Sequence, residues 1–108
     1  MSPREPSFRN ALAFARDLIR IPSPPGEEER AARRVAEEME ALAFNDVRLD
    51  DVGNVIGRIP GTADGPSVML SCHLDIVAAG DPDGWEYPPF GADVAGGFLH
   101  GRGSMDIK

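Results

Sequence analysis

Residues 68–77 read VMLSCHLDIV, and this stretch decides the fold that the sequence predicts. Val68 to Cys72 is an unbroken run of apolar and small residues, which is typical of a strand covered on both faces. His73 and Asp75 follow this run, at the end of the strand where open α/β sheets bind their ligands. We therefore predict a central strand at 68–72 with polar side chains at its carboxyl end.

Two amphipathic helices are predicted before this strand. From Ser7, the predicted N-cap, apolar residues recur in steps of three and four until the proline-rich stretch at 21–26 ends the helix. The second helix is predicted to begin at Gly26 or Glu27. Its predicted buried stripe consists of Ala32, Val35, Met39 and Leu42. We interpret Glu27–Glu29 and Glu37–Glu38 as solvated helix surface and not as metal ligands.

The remaining elements are extended. Alternating residues at 47–49 and 55–59 flank a stretch of turn residues at 50–54, which predicts a β-hairpin. Residues 78–97 form a long loop, and the aromatic residues within it favour an ordered structure. A short strand is predicted at 98–100. The order of helix, helix, hairpin and central strand predicts an α/β layered domain with a mixed sheet.

Composition excludes several classes of partner. The chain has 108 residues, one cysteine, and a formal net charge of −7 from 18 acidic and 11 basic residues. Such a charge disfavours nucleic acid and anionic membranes as partners, because both require a basic face. No apolar run is long enough to span a bilayer, and residues 1–20 contain no signal-peptide core. A cytoplasmic location is the resulting default prediction.

The pair His73 and Asp75 is the first candidate for chemistry. Side chains two apart on an extended segment point to the same side, so this carboxylate could orient this imidazole for a divalent metal. Taken alone, the pair is more typical of a hydrogen-bonded histidine at a surface or in a core than of a metal site. The pair by itself is therefore weak evidence for a metal site.

Asp106 lies in the stretch GRGSMD, where the glycines allow positive φ and close backbone approach. Its carboxylate could join His73 at one metal, bridge two metals, or belong to an ordinary turn. We reject a phosphate-binding loop, because Asp106 replaces the third glycine and no clear helix follows. Cys72 alternates with His73 and is predicted to be a buried structural thiol. His100 is also interpreted as structural.

Five stretches resemble one known family in the same order along the chain. Residues 71–77 resemble the His-x-Asp-x-Val signature of the co-catalytic zinc family of aminoacylases, acetylornithine deacetylases, succinyl-diaminopimelate desuccinylases and glutamate carboxypeptidases. Stretches 21–28, 51–56, 85–90 and 101–108 resemble four further motifs of that family. The resemblance covers nearly the whole chain. Within the family, the sequence resembles most the acetylornithine deacetylase and the selenium-metabolism-linked hydrolase branches, and the motifs do not separate these two.

The resemblance implies a fold, a reaction and a site. The fold would be a three-layer, zinc-peptidase-like mixed sheet with flanking helices. The protein would be a metal-dependent hydrolase that cleaves an amide or peptide bond of a small N-acyl amino acid or short peptide. His73 would ligate one of two divalent metal ions, Asp106 would bridge both, and Asp75 would be the active-site carboxylate that orients His73. Zinc is the implied metal, with cobalt and manganese left open.

The resemblance also implies what else the enzyme requires. A general-base glutamate and the remaining metal ligands would lie downstream of Asp106. Residues 1–108 are therefore expected to be the N-terminal portion of a catalytic domain, inactive by itself and without the lid or dimerisation domain. A homodimer is left open for the full-length protein.

Two alternatives remain on the residues alone. A non-catalytic metal-binding or regulatory module would use His73, Asp75 and Asp106 without hydrolysis. A structural α/β domain would use the same residues only as a hydrogen-bonded turn.

Overall fold

The computed structural model describes residues 7–108. Its elements are, in chain order, α1 (Phe8–Ile19), α2 (Glu29–Ala41), β1 (Asn45–Leu49), β2 (Val55–Arg58), a 3₁₀ helix (Pro82–Gly84), β3 (Val94–Ala95) and β4 (Phe98–Leu99). Both predicted helices and the predicted hairpin are present. The chain is therefore of the α/β class, as the sequence predicts.

Helix α1 begins as predicted, and α2 begins slightly later than predicted. The Oγ atom of Ser7 accepts a hydrogen bond from the amide of Asn10 at 3.1 Å, which makes Ser7 the N-cap of α1. Residues 24–28 form a turn in which the amide of Glu27 donates to the carbonyl of Pro24 at 2.9 Å. This turn delays the start of α2 to Glu29.

An arginine joins the two helices. The guanidinium of Arg34 lies 2.9 Å from Asp17 on α1 and 3.3 Å from Glu38 on α2. Its charge also stands 5.0 Å from the centre of the Phe14 ring. Glu38 is buried by this arrangement, so the interpretation of Glu38 as solvated surface is wrong. Glu27 and Glu29 are exposed, as predicted.

The hairpin of β1 and β2 is confirmed. The strands pair antiparallel, with Arg48 opposite Ile56 and Leu49 opposite Val55. The carboxylate of Asp50 closes the turn, accepting from the amides of Val52 at 3.0 Å and Asn54 at 2.8 Å.

The central strand predicted at 68–72 is wrong. These residues form no strand, and the side chains of Val68, Met69 and Leu70 are 86%, 87% and 93% exposed. A strand needs a hydrogen-bonding neighbour, and no segment within 7–108 pairs with this run. The strands described are two separate antiparallel pairs, β1–β2 and β3–β4, so the predicted mixed sheet is also absent from this part of the chain.

The prediction that Cys72 is a buried thiol is also wrong. The thiol is exposed and not buried, because nothing in residues 7–108 packs over the run that carries it.

The core that positions the site lies at the C-terminal end of α1. Ile19 and Ala92 are fully buried there, and Ile76 is only 3% exposed. The side chain of Arg16 donates to the carbonyl of Ala92 at 3.0 Å, which fixes the long loop against α1. In residues 7–108, none of the helices has the length and apolar character needed to cross a membrane.

Candidate metal centre

The structure brings His73 and Asp106 together across 33 positions of sequence. The Nε2 atom of His73 lies 3.1 Å from Oδ1 of Asp106. The two side chains are 48% and 82% exposed, so both face solvent. A metal ion could therefore reach both groups from outside without displacing the core.

Asp75 lies on the other side of the imidazole ring. The Nδ1 atom of His73 is 3.0 Å from the backbone carbonyl oxygen of Asp75 and 3.4 Å from its carboxylate oxygen Oδ1. The carbonyl is the closer acceptor, so the backbone of Asp75 contributes to the ring's orientation together with the side chain. A proton held on Nδ1 leaves the Nε2 lone pair free for a metal.

These two contacts favour the protonated form of His73. The pKa of His73 is raised above its ordinary value, first by the hydrogen bond to the Asp75 carbonyl and then by the Asp106 carboxylate. The cause is that only the imidazolium has N–H donors on both ring nitrogens, and each nitrogen faces an acceptor.

Ser23 holds the segment that carries His73. Its side chain is fully buried, and its Oγ donates to the carbonyl of Leu74 at 2.7 Å. The carbonyl of Ser23 accepts from the amide of Ile76 at 3.0 Å. Residues 74–76 are therefore fixed to the loop after α1, although the run before them is exposed.

The turn that carries Asp106 is held by contacts of Arg102, Gly103 and Lys108. The amide of Arg102 donates to the carbonyl of Pro89 at 2.8 Å, and its guanidinium lies 4.7 Å from the centre of the Trp85 ring. Gly103 has a φ of +89°, and a Cβ atom there would come within 2.9 Å of Ile76. This position requires glycine for both conformation and space.

Lys108 attaches this turn to the end of α1. Its Nζ atom donates to the carbonyls of Leu18 at 2.8 Å and Ile21 at 2.6 Å. Burial lowers the pKa of this ammonium group to about 8. The side chain satisfies carbonyls at the C-terminal end of α1, where a cation also complements the helix dipole.

The Nε2 atom of His73 and the Oδ1 atom of Asp106 fit a metal in type and spacing, but they are only two ligands. Two ligand atoms about 2.0–2.1 Å from a tetrahedral zinc lie about 3.3 Å apart, close to the 3.1 Å between His73 and Asp106. Among residues 7–108, no group of three or more His, Cys, Asp or Glu side chains could hold a metal. The residues described here therefore provide part of a coordination shell.

The other candidate residues lie away from this pair. His100 stacks on Tyr87 with ring centres 4.1 Å apart, and its Nε2 lies 3.1 Å from the carbonyl of Ala95, which agrees with a structural role. Sequence reasoning missed Ser23 and Lys108. One available signal was that Lys108 is the chain's only lysine among eleven basic residues.

Three comparisons with known proteins bear on this site. The chain is 40% identical over 110 residues to the succinyl-diaminopimelate desuccinylase of Methylobacterium sp. (strain 4-46), covering 95% of this chain and 27% of that protein. It is 37% identical over 106 residues to the desuccinylase of Bradyrhizobium diazoefficiens, covering 92% and 27% respectively. It is also 36% identical over 94 residues to the uncharacterized protein YgeY of Escherichia coli (strain K12), covering 86% and 23%.

Over more than 90% of its length, the chain is thus similar to succinyl-diaminopimelate desuccinylases, at 40% and 37% identity. It spans about a quarter of the length of the curated relatives it matches. No family model matches the sequence. The resemblance indicated by the five motifs is confirmed by these relatives, which are consistent with a fragment of that wider family of deacylases and peptidases.

Proposed function

We propose that the whole protein is a metal-dependent hydrolase that cleaves the amide bond of a small N-acyl amino acid or short peptide. The observation that carries the proposal is the 3.1 Å approach of His73 to Asp106, in a chain 40% identical to a desuccinylase. Removal of a succinyl group from an amine adds water across an amide bond, with hydroxyl to the acyl carbon and a proton to nitrogen. We further propose that the complete domain is a three-layer α/β fold with a mixed sheet.

In this proposal each residue of the site has one task. The Nε2 atom of His73 would ligate a divalent metal, and the backbone and carboxylate of Asp75 would hold the ring in the tautomer that leaves Nε2 free. Asp106 presents one carboxylate oxygen beside Nε2, and its second oxygen is available to a second metal. When bound, two divalent ions such as zinc would polarise the scissile carbonyl and lower the pKa of a water molecule.

The test is made on the whole protein with N-succinyl-diaminopimelate and other N-acyl amino acids. We expect His73→Ala and Asp106→Ala each to lower hydrolysis and bound metal by more than about 100-fold, since removing a ligand should cost more than removing its support. His100→Ala, which changes the chain's other histidine, and the exposed Asp51→Ala are the matched controls. Full turnover and full metal content in His73→Ala would refute the proposal.

A second candidate is a domain in which these polar groups form only a hydrogen-bonded turn. It is favoured by one observation, that residues 7–108 contain no group of three metal-ligating side chains. A whole protein that binds no zinc and hydrolyses no N-acyl amino acid would support it. Stoichiometric zinc without hydrolysis would instead support a non-catalytic metal-binding module.

A further inference from the structure

One short segment at the end of α1 contacts both halves of the candidate metal centre. One half is residues 73–76, which carry His73, and the other is the turn at 101–108, which carries Asp106. This segment, residues 18–23, includes the last turn of α1 and the start of the proline-rich loop. Ser23 is its contact with the half that carries His73. Its Oγ donates to Leu74, and its carbonyl accepts from Ile76, so hydrogen bonds lie on both sides of Asp75.

Lys108 is the contact with the half that carries Asp106. Its ammonium group donates to two carbonyls of segment 18–23, those of Leu18 and Ile21. The backbone amide of Lys108 also donates to the carbonyl of Gly103 at 2.9 Å, which closes the turn around Asp106. The side chain and the backbone of one residue thus fix the turn and attach it to α1.

The two halves meet at Gly103. A Cβ atom built on Gly103 would lie 2.9 Å from Ile76 and 3.3 Å from the aliphatic carbons of Lys108. The turn therefore lies between a residue that follows His73 and the side chain of the lysine that anchors the turn. No side chain larger than that of glycine fits without movement of one of these neighbours.

The metal-facing side chains need such external anchors. Asp106 is 82% exposed and His73 is 48% exposed, so neither is fixed by its own burial. An exposed side chain has rotamer freedom, which must be restricted before two ligands can share one ion. In residues 7–108, Asp75 orients the His73 ring, and the contacts of Ser23 and Lys108 help to hold the two backbone segments that carry His73 and Asp106.

We propose that Ser23 and Lys108 are positioning residues, which hold His73 and Asp106 in register for one metal site by attaching both to the end of α1. This inference rests on the proposed function, because it names the residues that support the same site. The ammonium of Lys108 acts through the turn that carries Asp106, and the hydroxyl of Ser23 acts through the segment that carries His73. Neither group touches the metal or the substrate.

The first experiment measures zinc affinity of the whole protein by competition with a chromophoric chelator. Lys108→Met keeps the aliphatic side chain and removes the donors, and Ser23→Ala removes the hydroxyl. We expect each to raise the zinc Kd about 10- to 100-fold, the usual effect of losing an indirect support of a metal ligand. Lys108→Arg should restore part of the affinity, because arginine can also donate to both carbonyls. The exposed changes Arg33→Met and Ser67→Ala are the matched controls and should retain the wild-type Kd.

A second measurement separates positioning from plain stability. The visible spectrum of the cobalt-substituted protein reports coordination geometry, and it should change in Lys108→Met and Ser23→Ala at a temperature where each remains folded. Hydrogen exchange of the Ile76 amide, measured without metal, should be faster in Ser23→Ala and unchanged in Ser67→Ala. If Lys108→Met does not fold, Ser23→Ala decides the question by the same measurements.

The outcomes distinguish this inference from the proposed function. Lower thermal stability with a wild-type zinc Kd and a wild-type cobalt spectrum in both variants would overturn the positioning role and leave the metal site intact. If His73→Ala also loses zinc binding while the Ser23 and Lys108 variants keep the wild-type Kd and spectrum, only the positioning role is refuted and the proposed function stands. A wild-type protein that binds none of zinc, cobalt and manganese, or wild-type binding in His73→Ala and Asp106→Ala, would refute the proposed function itself.

Discussion

The hairpin at 45–58 and the run at 68–77, which begins with the apolar residues 68–72, were both predicted to contain strands but differ in structure. In the hairpin, the two strands pair with each other and pack against α2, so Gly57 lies against Met39 and Phe44. In the run, Val68 to Leu70 are almost fully exposed, and only the far end is buried, at Ile76. Both stretches have the composition of strands, yet only one forms them.

The difference lies in where the partners are in the sequence. The hairpin finds its hydrogen-bonding partner across a short turn and its apolar cover on the preceding helix. The run is held only where it reaches the end of α1, through Ser23. An apolar pattern therefore predicts a strand correctly when nearby residues supply the pairing partner. When they do not, the pattern shows only that the residues favour an extended conformation.

The largest effect on stability is expected at Ile76, at the buried end of the run, and a much smaller one at Leu70, near its exposed end. Ile76→Ala should lower the free energy of unfolding of residues 1–108 by about 2–5 kcal/mol, since it empties space in a packed core. Leu70→Ala should change it by less than about 0.5 kcal/mol, because Leu70 is 93% exposed. Urea denaturation followed by circular dichroism measures both. Equal costs for the two variants would mean that 68–72 is packed in solution and would remove the contrast.

A smaller effect is expected at the contact of the hairpin with α2. A Cβ atom at Gly57 would lie 2.7 Å from Sδ of Met39 and 2.9 Å from the Phe44 ring. Gly57→Ala should therefore lower the free energy of unfolding by about 1–3 kcal/mol through overpacking. Gly65→Ala is the control, because its Cβ would meet nothing within 4 Å.

These two variants test whether the hairpin is supported by α2 or only by its own strand pairing. If Gly57→Ala and Gly65→Ala are equally stable, the close packing on α2 does not contribute, and the hairpin would resemble the exposed run more than the structure indicates.

The sequence predicted the parts of the molecule whose determinants are local. The serine cap of α1, the helix periodicities and the turn at Asp50 each depend on residues a few positions apart, and all three are present. The central strand and the buried thiol of Cys72 depended on cover from distant segments. Residues 7–108 supply no such cover, which is why those two predictions were wrong.

The candidate site was predictable in its residues and not in its support. His73, Asp75 and Asp106 are residue types that bind and orient metals, and the family resemblance, not the spacing alone, selected them as the candidate site. Their metal-binding and catalytic roles remain predictions. The contacts of Lys108 with α1 join residues 90 and 87 positions apart, and no periodicity or motif spacing encodes such a pairing.

The smallest effect on stability is expected at the turn that joins β1 and β2. The pKa of Asp50 is lowered, first by the side-chain hydrogen bond from Asn54 and then by the Asn54 amide. A folded-state pKa below the unfolded value gives stability that is present above about pH 4 and is lost as the pH falls through the folded value. The advantage of the wild-type protein over Asp50→Asn should therefore be present at pH 7 and shrink at pH 2–3, as measured by urea denaturation at each pH. Asp51→Asn removes the same charge from the same turn without these hydrogen bonds, and should leave the stability at pH 7 nearly unchanged. If Asp50→Asn is as stable as wild type at pH 7, the turn does not depend on the carboxylate, and strand pairing with α2 packing must account for the hairpin.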